Sequence, residues 1–395
     1  MSTLKVDTIT KADGTGSLSV PAESGTVVTT ASPSLGRRNL IINGAMQVAQ
    51  RGTSASSITG GYFTCDRWTI GVAASSVVYS QSREQDAPAG TGLNYSLKTE
   101  VTTADTSLDA DQRTSLNYYI EGYDSQQLNW GTSDGRDATL SFWVKSSETG
   151  TYGLAVLTQN GTGRSRSFTY TVDAANTWEK KTINIPADTA TFSDWFQTTA
   201  IGVQIRWSFG CGSNRTEATG SWTAGGTTFG ATGEKNLAAI SGATFYLTGV
   251  QLELGSVATP FEHRSYGEEL QLCQRYFQKS YNDGTAVGTA TTNGNVLWFT
   301  SQQWGVTSVP TGPISQGYVT LPVELRTTAT VVPYSTTTGT ANRFVLGSTG
   351  SDVTPAAWLQ QAPSTIHIGY PQNAGGGGFS NTDSVRFHWT ADAEL

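Results

Sequence analysis

The chain has 395 residues, of which only 14% are charged and 10% are aromatic, and it contains 44 glycines. This composition is typical of short strands joined by tight turns. It excludes a disordered chain, which would be rich in charge and poor in aromatic residues. The formal net charge of −7 argues against a nucleic-acid binder, which needs a basic face. Because no run of about 18 apolar residues occurs, we expect no membrane insertion.

Residues 1–38 form a first segment that differs from the rest of the chain. The first aromatic residue is Tyr62, so this segment has too few large apolar groups to bury a core by itself. Small apolar residues nevertheless recur in it: Leu4, Val6, Ile9, Leu18, Val20 and Val27. Two interpretations are open, a flexible tail and an extended β segment that packs on other chains. We favour the second because the apolar residues recur regularly.

Residues 39–262 are predicted to form a jelly-roll β-sandwich. Residues 201–209 alternate strictly between apolar and polar or small side chains, which is the pattern of a half-buried strand. Residues 139–145 alternate in the same way, and turn signals such as Asn160-Gly161 separate stretches of this kind. Many short strands separated by turns are typical of a sandwich, and a jelly roll is the expected topology.

Residues 263–280 are predicted to form one short linking helix. Ser265 and Glu268 have the spacing of a capping box, and Leu270, Cys273 and Phe277 follow at helical spacing. We expect the helix to end near residues 278–280. Strand patterns resume after it, so residues 281–395 are predicted to form a second, smaller β-sandwich.

No catalytic residues are predicted. Residues 131–135 match the GxSxG pattern by letter, but a strand follows where that motif needs a helix, so we interpret them as a turn. The acidic cluster at Asp105, Asp109 and Asp111 is interpreted as a solvated loop and not as a paired-carboxylate site. Three widely spaced cysteines, at positions 65, 211 and 273, predict buried free thiols and neither a disulfide framework nor a CxxC zinc site.

Aromatic residues in polar, loop-like context are the candidate ligand contacts. An exposed aromatic ring beside amides and hydroxyls suits the apolar face and the hydroxyl rim of a sugar. The candidate carbohydrate-binding residues are Trp130, Trp222, Trp304, Trp358 and Tyr370. The alternative is that such rings pack onto neighbouring subunits.

Three blocks of sequence carry a resemblance to a known family. They are residues 38–53 (RNLIINGAMQVAQRGT) with residues 62–68 (YFTCDRW), residues 247–255 (LTGVQLELG), and residues 258–277 (ATPFEHRSYGEELQLCQRYF). In their order and spacing they resemble the tail fibre proteins of tailed bacteriophages, including cyanophages and phages of marine bacteria. The resemblance covers residues 39–280, and residues 4–29 are similar to the virion-attachment end of such fibres.

The resemblance implies a homotrimeric virion component with a jelly roll like that of carbohydrate-binding modules. Its N-terminus would attach to other tail proteins (a hub, adaptor or nozzle), and its distal domain, residues 281–395, would bind the receptor. It also implies a possible structural calcium held by an acidic residue on the last strand, where this chain has Gln251 at one candidate place, so we expect no cofactor. No catalytic residue of the family maps onto the chain.

These observations favour a trimeric tail fibre, assembled in the host cytoplasm and located in the virion, that attaches to a host surface glycan without cleaving it. Two alternatives stay open. One is a tailspike-like enzyme that depolymerises the glycan, and the other is a tail adaptor without receptor contact. A charge-poor surface with serine, threonine, asparagine and glutamine suits hydrogen bonding to neutral glycans.

Overall fold

β-strands make up most of the regular structure in this chain. A computed structural model describes residues 9–10, 17–18, 37–158, 163–190, 198–299, 315–347, 349–353, 359–369 and 384–395. The chain divides into two units, Met1–Gly36 and Arg37–Leu395. In the first unit, β1 (Ile9–Thr10) pairs antiparallel with β2 (Ser17–Leu18), and Ile9 lies opposite Leu18. The other candidate packing residues of this segment, Leu4, Val6, Val20 and Val27, lie outside the described residues.

The second unit begins with a β-sandwich. Its strands are β3 (Ser54–Ile58), β4 (Gly61–Tyr62), β5 (Trp68–Ala73), β6 (Val78–Glu84), β7 (Ser96–Thr103), β8 (Arg113–Glu121), β9 (Ala138–Ser146), β10 (Gly150–Thr158), β11 (Arg164–Val172), β12 (Glu179–Ile185), β13 (Ile201–Cys211), β14 (Thr216–Glu217), β15 (Thr223–Ala224), β16 (Gly230–Ala231) and β17 (Thr244–Leu254). One sheet runs in the order β15–β11–β10–β13–β8–β5–β4, and the other in the order β12–β9–β17–β7–β6–β3. Neighbours in both sheets are antiparallel, whereas β14 and β16 form a separate parallel pair. The predicted all-β sandwich is confirmed.

The inward faces of the two sheets form one apolar core. On β13, Val203, Ile205, Trp207 and Phe209 are fully buried, in agreement with the predicted alternation. The Trp207 ring lies 5.5 Å from that of Trp68 on the same sheet and contacts Phe142 of the facing sheet edge-on at 5.7 Å. Burying one large apolar side chain stabilises a fold by about 1.5–3 kcal/mol. These rings therefore fix which face of each strand points inward.

Short helices lie in the connections. The 4-residue α1 (Gly122–Ser125) and a 3-10 turn (Gln126–Leu128) follow β8, and a second 3-10 turn (Leu237–Ala239) precedes β17. The longer helix is α2 (Tyr266–Gln274), and the Ser265 side chain accepts a hydrogen bond from the Glu268 backbone N–H, as the predicted cap requires. Neither α-helix in the part of the chain described has the length and apolar character needed to span a membrane.

The prediction that the linking helix continues to residues 278–280 is wrong. The helix ends at Gln274, and Phe277–Lys279 is a strand, β18, because it pairs with the last strand of the chain. The inner side of the helix contributes Cys273, which is buried together with Tyr276, Ile42 and Val48. The helix thus packs on the sandwich instead of standing free between two domains.

The C-terminal part forms two smaller sheets, one of them built around β26. Its strands are β18, β19 (Val296–Phe299), β20 (Ser315–Thr320), β21 (Thr330–Tyr334), β22 (Phe344–Leu346), β23 (Asp352–Val353), β24 (Leu359–Ala362), β25 (Thr365–Gly369) and β26 (Ser384–Asp392). Strand β26 pairs with β18, β19, β21 and β22, while β20, β25 and β24 form a three-stranded sheet. Phe344, Phe387 and Trp389 share a core with Ile366 of the smaller sheet. This sandwich-like arrangement agrees with the predicted strand-rich C-terminal unit.

Buried charges connect the last residues of the chain to the sandwich. Glu394 pairs with both Arg67 and Arg51, and Arg51 also contacts Asp392 at 2.9 Å. The Arg67 side chain is only 1% exposed and the Glu394 side chain 4%. Buried ions are stable only when they are paired. The Tyr62 hydroxyl of β4 also donates to the Leu395 carbonyl at 3.0 Å, so the C-terminus is held against β4 and against the residues that precede β3 and β5.

Candidate functional site

The outer face of the seven-stranded sheet carries an unusual set of polar side chains. Register alignment brings Asn117 of β8 opposite Arg206 of β13, and Ser115 of β8 opposite Ser208 of β13. These side chains point away from the core because their neighbours along each strand point into it. Even so, Ser115 and Asn117 are only 2% and 3% exposed. A polar sheet face that is covered to this degree is a candidate binding site.

The cover comes from the segment between β13 and β17. Its strand β16 lies against β10, β11 and β13, and the carbonyl oxygen of Gly230 accepts a hydrogen bond from Ser167 Oγ at 2.7 Å. Phe229, at the edge of this segment, is 8% exposed. The segment lies over β10, β11 and β13, and its residues Gly226, Thr227 and Phe229 close one side of a space above β5, β8 and β13.

We call this space the sheet groove, and it encloses about 320 Å³. It is lined by Gly71, Val72, Ala73, Arg113, Ser115, Asn117, Tyr119, Gln204, Arg206, Arg215, Gly226, Thr227 and Phe229. Ligand pockets typically measure about 300–1,000 Å³. The sheet groove is therefore large enough for a small ligand or for one part of a longer one.

The floor of the groove depends on a glycine. A Cβ atom at Gly71 would lie 2.5 Å from Nδ2 of Asn117 and 3.4 Å from Oγ of Ser115. Ser115 Oγ donates to Asn117 Oδ1 at 2.6 Å and so fixes the orientation of the amide. Among the described residues, Asn117 Nδ2 has no acceptor. The floor consequently presents a fixed hydrogen-bond donor to whatever enters.

Two arginines form one wall. The guanidinium carbon of Arg206 lies 3.6 Å from the centre of the Phe229 ring, and that of Arg113 lies 4.5 Å from the same ring. An Arg206 N–H donates to Oε1 of Gln204. Burial, with a smaller contribution from the positive charge of Arg113, lowers the pKa of the Arg206 guanidinium to about 10. Arg215, further along the groove, contacts Asp111 at 3.1 Å.

A buried carboxyl group holds the covering segment in place. Glu234 accepts hydrogen bonds from the backbone N–H groups of Ala231 at 2.8 Å and Cys211 at 3.1 Å, and from Ser208 Oγ. Burial raises the pKa of Glu234 to about 7, although these three donors act in the opposite direction. Ser208 lies on the outer face of β13, so this cluster connects the sheet to its cover.

A second cleft, of about 380 Å³, lies beside the N-terminal end of α2. Tyr95, Tyr266, Arg83 and Asp283 contribute to its lining, and the Tyr266 hydroxyl donates to Asp283 Oδ2 at 2.7 Å. The Arg83 guanidinium lies 4.5 Å from the Tyr95 ring centre. Arg83 also donates to the Gln47 carbonyl, so the charged groups and the Tyr266 hydroxyl of this cleft already have protein partners, and we rank it below the sheet groove.

The sequence-predicted aromatic contacts do not form the groove. The prediction that Trp130 is exposed is wrong: it is 1% exposed, and its indole N–H donates to the carbonyl of Arg136 at 2.7 Å. Trp222 is half-buried, packs edge-on against Trp130 at 5.3 Å and donates to the carbonyl of Pro186. Trp130 is thus part of the apolar core, and Trp222 packs against that core. Trp304, Trp358 and Tyr370 lie outside the described residues.

The sequence analysis missed Arg113, Asn117, Gln204 and Arg206. The signal was present in the same alternating strands, whose apolar residues predicted the core. The pattern of a half-buried strand predicts one buried face, and nothing in a single strand shows that a distant segment covers its polar face. An arginine between two core positions of a central strand was the informative feature.

The residues at the implied calcium position do not fit a metal ion. Glu253 Oε1 accepts from the Thr259 N–H and from Gln251 Nε2, both at 2.8 Å, and its Oε2 accepts from Thr259 Oγ1 at 2.6 Å. A calcium ion needs six to eight oxygen ligands, whereas here protein donors occupy the carboxylate and one neighbour is an amide N–H₂. Across the described residues, no three His, Cys, Asp or Glu side chains converge as metal ligands.

Comparisons with known proteins return structural likenesses only. No protein-family model matches the chain. No curated protein matches it either. One similar structure is the enzymatically active domain of tailspike protein 4 of bacteriophage CBA120, with 15% identity over 55% of this chain, 21% of that chain and a TM-score of 0.32. A putative sugar-binding protein from Bacteroides thetaiotaomicron has 11% identity over 55% of this chain, 100% of that chain and a TM-score of 0.33.

A family 11 carbohydrate-binding module from Clostridium thermocellum, solved with a mixed-linked tetrasaccharide, is also similar. The identity is 10%, the match covers 53% of this chain and 99% of that chain, and the TM-score is 0.26. Each of these three matches covers a little over half of this chain, and the chain spans about a fifth of the tailspike's length.

Proposed function

We propose that this protein is a trimeric tail fibre of a tailed bacteriophage and binds a host cell-surface glycan, without cleaving it, through the sheet groove. The observation that carries glycan binding is the convergence of Asn117, Ser115 and Arg206 on one sheet face beside the Tyr119 side chain. Sugars are bound by such combinations of oriented hydrogen-bond partners and aromatic surface. The fibre assignment is supported by the resemblance of residues 39–280 to tail fibre proteins.

The composition of the groove supports binding over cleavage. Glycoside hydrolysis commonly uses two carboxyl groups that flank the scissile bond. No aspartate or glutamate occurs among the described residues that line the groove. Glu234, with its raised pKa, is committed to three protein donors beneath the covering segment. The depolymerase alternative would therefore need a second site.

Binding is tested with the full-length protein on an array of bacterial surface polysaccharides. We expect Asn117→Ala to bind at least tenfold more weakly than the wild type to any polymer that the wild type captures, because the fixed amide donor is removed. Thr182→Ala, on an exposed position of β12 in the other sheet, serves as the matched control and should leave binding unchanged. If Asn117→Ala binds as tightly as Thr182→Ala and the wild type, the sheet groove is not the binding site.

Cleavage is tested on the same polymers by release of new reducing ends. The non-catalytic proposal requires no release above buffer after prolonged incubation. Steady release that scales with protein concentration would favour the depolymerase. A wild type that binds no polymer on the array and no intact host cells would favour the adaptor without receptor contact.

The trimer is a separate part of the proposal. Three weak sites on one fibre can give useful avidity because the second and third binding events are intramolecular. We expect light scattering of the full chain to give three times the mass of one chain. Ile9→Asp combined with Leu18→Asp, opposite each other on β1 and β2, should abolish that trimer. A folded wild-type monomer would contradict the fibre model.

A further inference from the structure

We propose that the sheet groove selects an anionic sugar, one that carries a carboxylate or a sulfate, and that Arg206 and Arg113 hold its negative group beside Phe229. This inference rests on the proposed glycan binding and specifies the class of ligand. It differs from the expectation, drawn from the charge-poor composition, that the glycan is neutral.

The first observation is that two cations share one ring. Both guanidinium groups lie within 4.5 Å of the centre of Phe229. A ring face attracts a cation by about 0.5–2 kcal/mol. The two like charges nevertheless repel each other, and the charge of Arg113 lowers the pKa of Arg206. Nothing in the core requires the pair, since both side chains leave the outer face of the sheet. An anion between them would turn the repulsion into attraction.

The second observation is the absence of a counter-ion where this chain otherwise supplies one. Arg67 and Arg264, with side chains 1% and 6% exposed, pair with Glu394 and Glu269 respectively. Arg206 is buried to a similar degree, at 8% exposure. Within the described residues, neither Arg206 nor Arg113 has a carboxylate within ion-pair distance.

The hydrogen-bond partners of Arg206 support the same conclusion. Its guanidinium donates to the neutral side-chain oxygen of Gln204, and its buried Nε–H has no acceptor among the described residues. Unpaired buried polar groups cost free energy, and a buried cation costs more than a neutral group. A carboxylate or sulfate oxygen is the acceptor that matches the planar donor edge of an arginine.

The groove differs from a simple anion hole. Asn117 Nδ2 and the Tyr119 side chain line it beside the arginines, and its volume of about 320 Å³ exceeds what a bare oxyanion needs. With a net charge of −7 on the whole chain, long-range attraction of anions is weak. Selection must therefore come from local contacts, which suits a charged sugar within a longer glycan.

The test compares polymers that differ only in charge. Full-length protein is titrated with polygalacturonate, with the same polymer after chemical reduction of its carboxyl groups, and with dextran sulfate beside unmodified dextran. We expect at least tenfold tighter binding to one acidic polymer than to its neutral counterpart. The two pairs distinguish a carboxylate-bearing from a sulfate-bearing ligand. Binding to the acidic polymer should also weaken as salt is raised, because the attraction is electrostatic.

The variants assign the effect to the groove. Arg206→Gln and, separately, Arg113→Gln should each reduce binding of the acidic polymer at least tenfold, while Arg136→Gln, an exposed arginine in another loop, should not. Arg113 is only partly buried, so its variant is informative even if Arg206→Gln fails to fold. Circular dichroism confirms folding before each titration.

The outcomes separate this inference from the proposed function. Equal affinity for charged and neutral polymers, with loss of binding in Asn117→Ala, would overturn the anionic-sugar inference and leave glycan binding intact. Tight acidic binding that is unchanged in both arginine variants would overturn it as well. Failure to bind any of the four polymers or any polymer of the surface array would count against both proposals.

Discussion

At the scale of single residues, Gly71 shows how the groove is formed. Its missing Cβ leaves room for the Asn117 amide, since a methyl group there would lie 2.5 Å from Nδ2. We expect Gly71→Ala to displace that amide and to weaken glycan binding several-fold, with a loss of unfolding free energy of about 1 kcal/mol. The change in affinity is measured by titration with the polymer that the wild type captures, and the change in unfolding free energy by urea unfolding.

A second glycine provides the control for that substitution. A Cβ at Gly267, in α2, would meet nothing within 4 Å, and alanine is preferred over glycine inside helices by about 1 kcal/mol. Gly267→Ala should leave glycan affinity unchanged. If both variants bind like the wild type, Asn117 does not depend on the space at position 71.

Glu234 gives the fold a pH dependence near neutrality. Because burial raises its pKa from 4.5 to about 7, the folded state binds this proton more tightly than the unfolded state does. The unfolding free energy therefore falls as pH rises from about 4.5 to about 7, and the loss is complete above pH 7. One pKa unit corresponds to about 1.4 kcal/mol, so the rise from 4.5 to about 7 corresponds to a loss on the order of 3 kcal/mol from this group.

Glu234→Gln removes this titration. Its unfolding free energy should fall less than that of the wild type between pH 5 and pH 8, as measured by urea unfolding at each pH. Glu148→Gln, a partly exposed carboxylate that pairs with Lys235 at 3.2 Å, is the control and should retain the wild-type slope. If the unfolding free energy of Glu234→Gln changes with pH as steeply as that of the wild type, the Glu234 carboxyl does not have a raised pKa in the folded protein.

At the scale of elements, the sequence predicts the strands well and the helix boundary less well. Strict alternation in β9 and β13 predicted their inward faces because core burial imposes a period of two. Apolar residues beyond Gln274 continued the helical pattern, yet Phe277–Lys279 pairs with β26, more than 100 residues away. Tertiary pairing of this kind overrides local periodicity and leaves no mark in the helix sequence itself.

The groove was less predictable than the strands for a similar reason. Its polar residues lie on two strands that the sequence identified, but their burial depends on the segment that includes β14, β15 and β16. Strands of two residues carry no periodicity from which they could be recognised. The predicted binding residues were instead tryptophans in a polar sequence context. Of these, Trp130 lies in the core and Trp222 packs against it.

The start of α2 is the element feature that the sequence predicted best. Ser265 Oγ accepts from the Glu268 N–H at 3.3 Å and so caps the helix. We expect Ser265→Ala to lower the unfolding free energy by about 1 kcal/mol and to speed hydrogen exchange at the Glu268 amide. Ser265→Thr retains the hydroxyl and should restore most of the unfolding free energy and most of the protection of the Glu268 amide. Unchanged exchange in the alanine variant would mean that the cap contributes nothing.

At the scale of the whole molecule, buried ion pairs and hydrogen bonds attach the C-terminal residues to the sandwich. Arg67 lies beneath Tyr276, with its guanidinium carbon 3.4 Å from the ring centre, and it donates to the Tyr119 carbonyl as well as to Glu394. Arg326 donates to the carbonyl groups of Ala393 and Glu394, both at 2.9 Å. The last residues of the chain thus follow β26 into one cluster of contacts. The other members of this cluster lie in or next to β5, β8 and α2.

Glu394→Gln tests that attachment, since it keeps the shape of the side chain and removes its charge. Removing one member of a buried ion pair leaves the other charge uncompensated, which costs about 3–5 kcal/mol. We therefore expect a large drop in the urea midpoint and faster proteolysis of the C-terminal part. Asp173→Asn makes the same chemical change at a carboxylate that is 74% exposed and 3.4 Å from Lys181, where about 1 kcal/mol or less is expected. Similar urea midpoints for the two variants would mean that Arg67 finds another partner. The C-terminal residues would then not be what holds the C-terminal sheets to the β-sandwich.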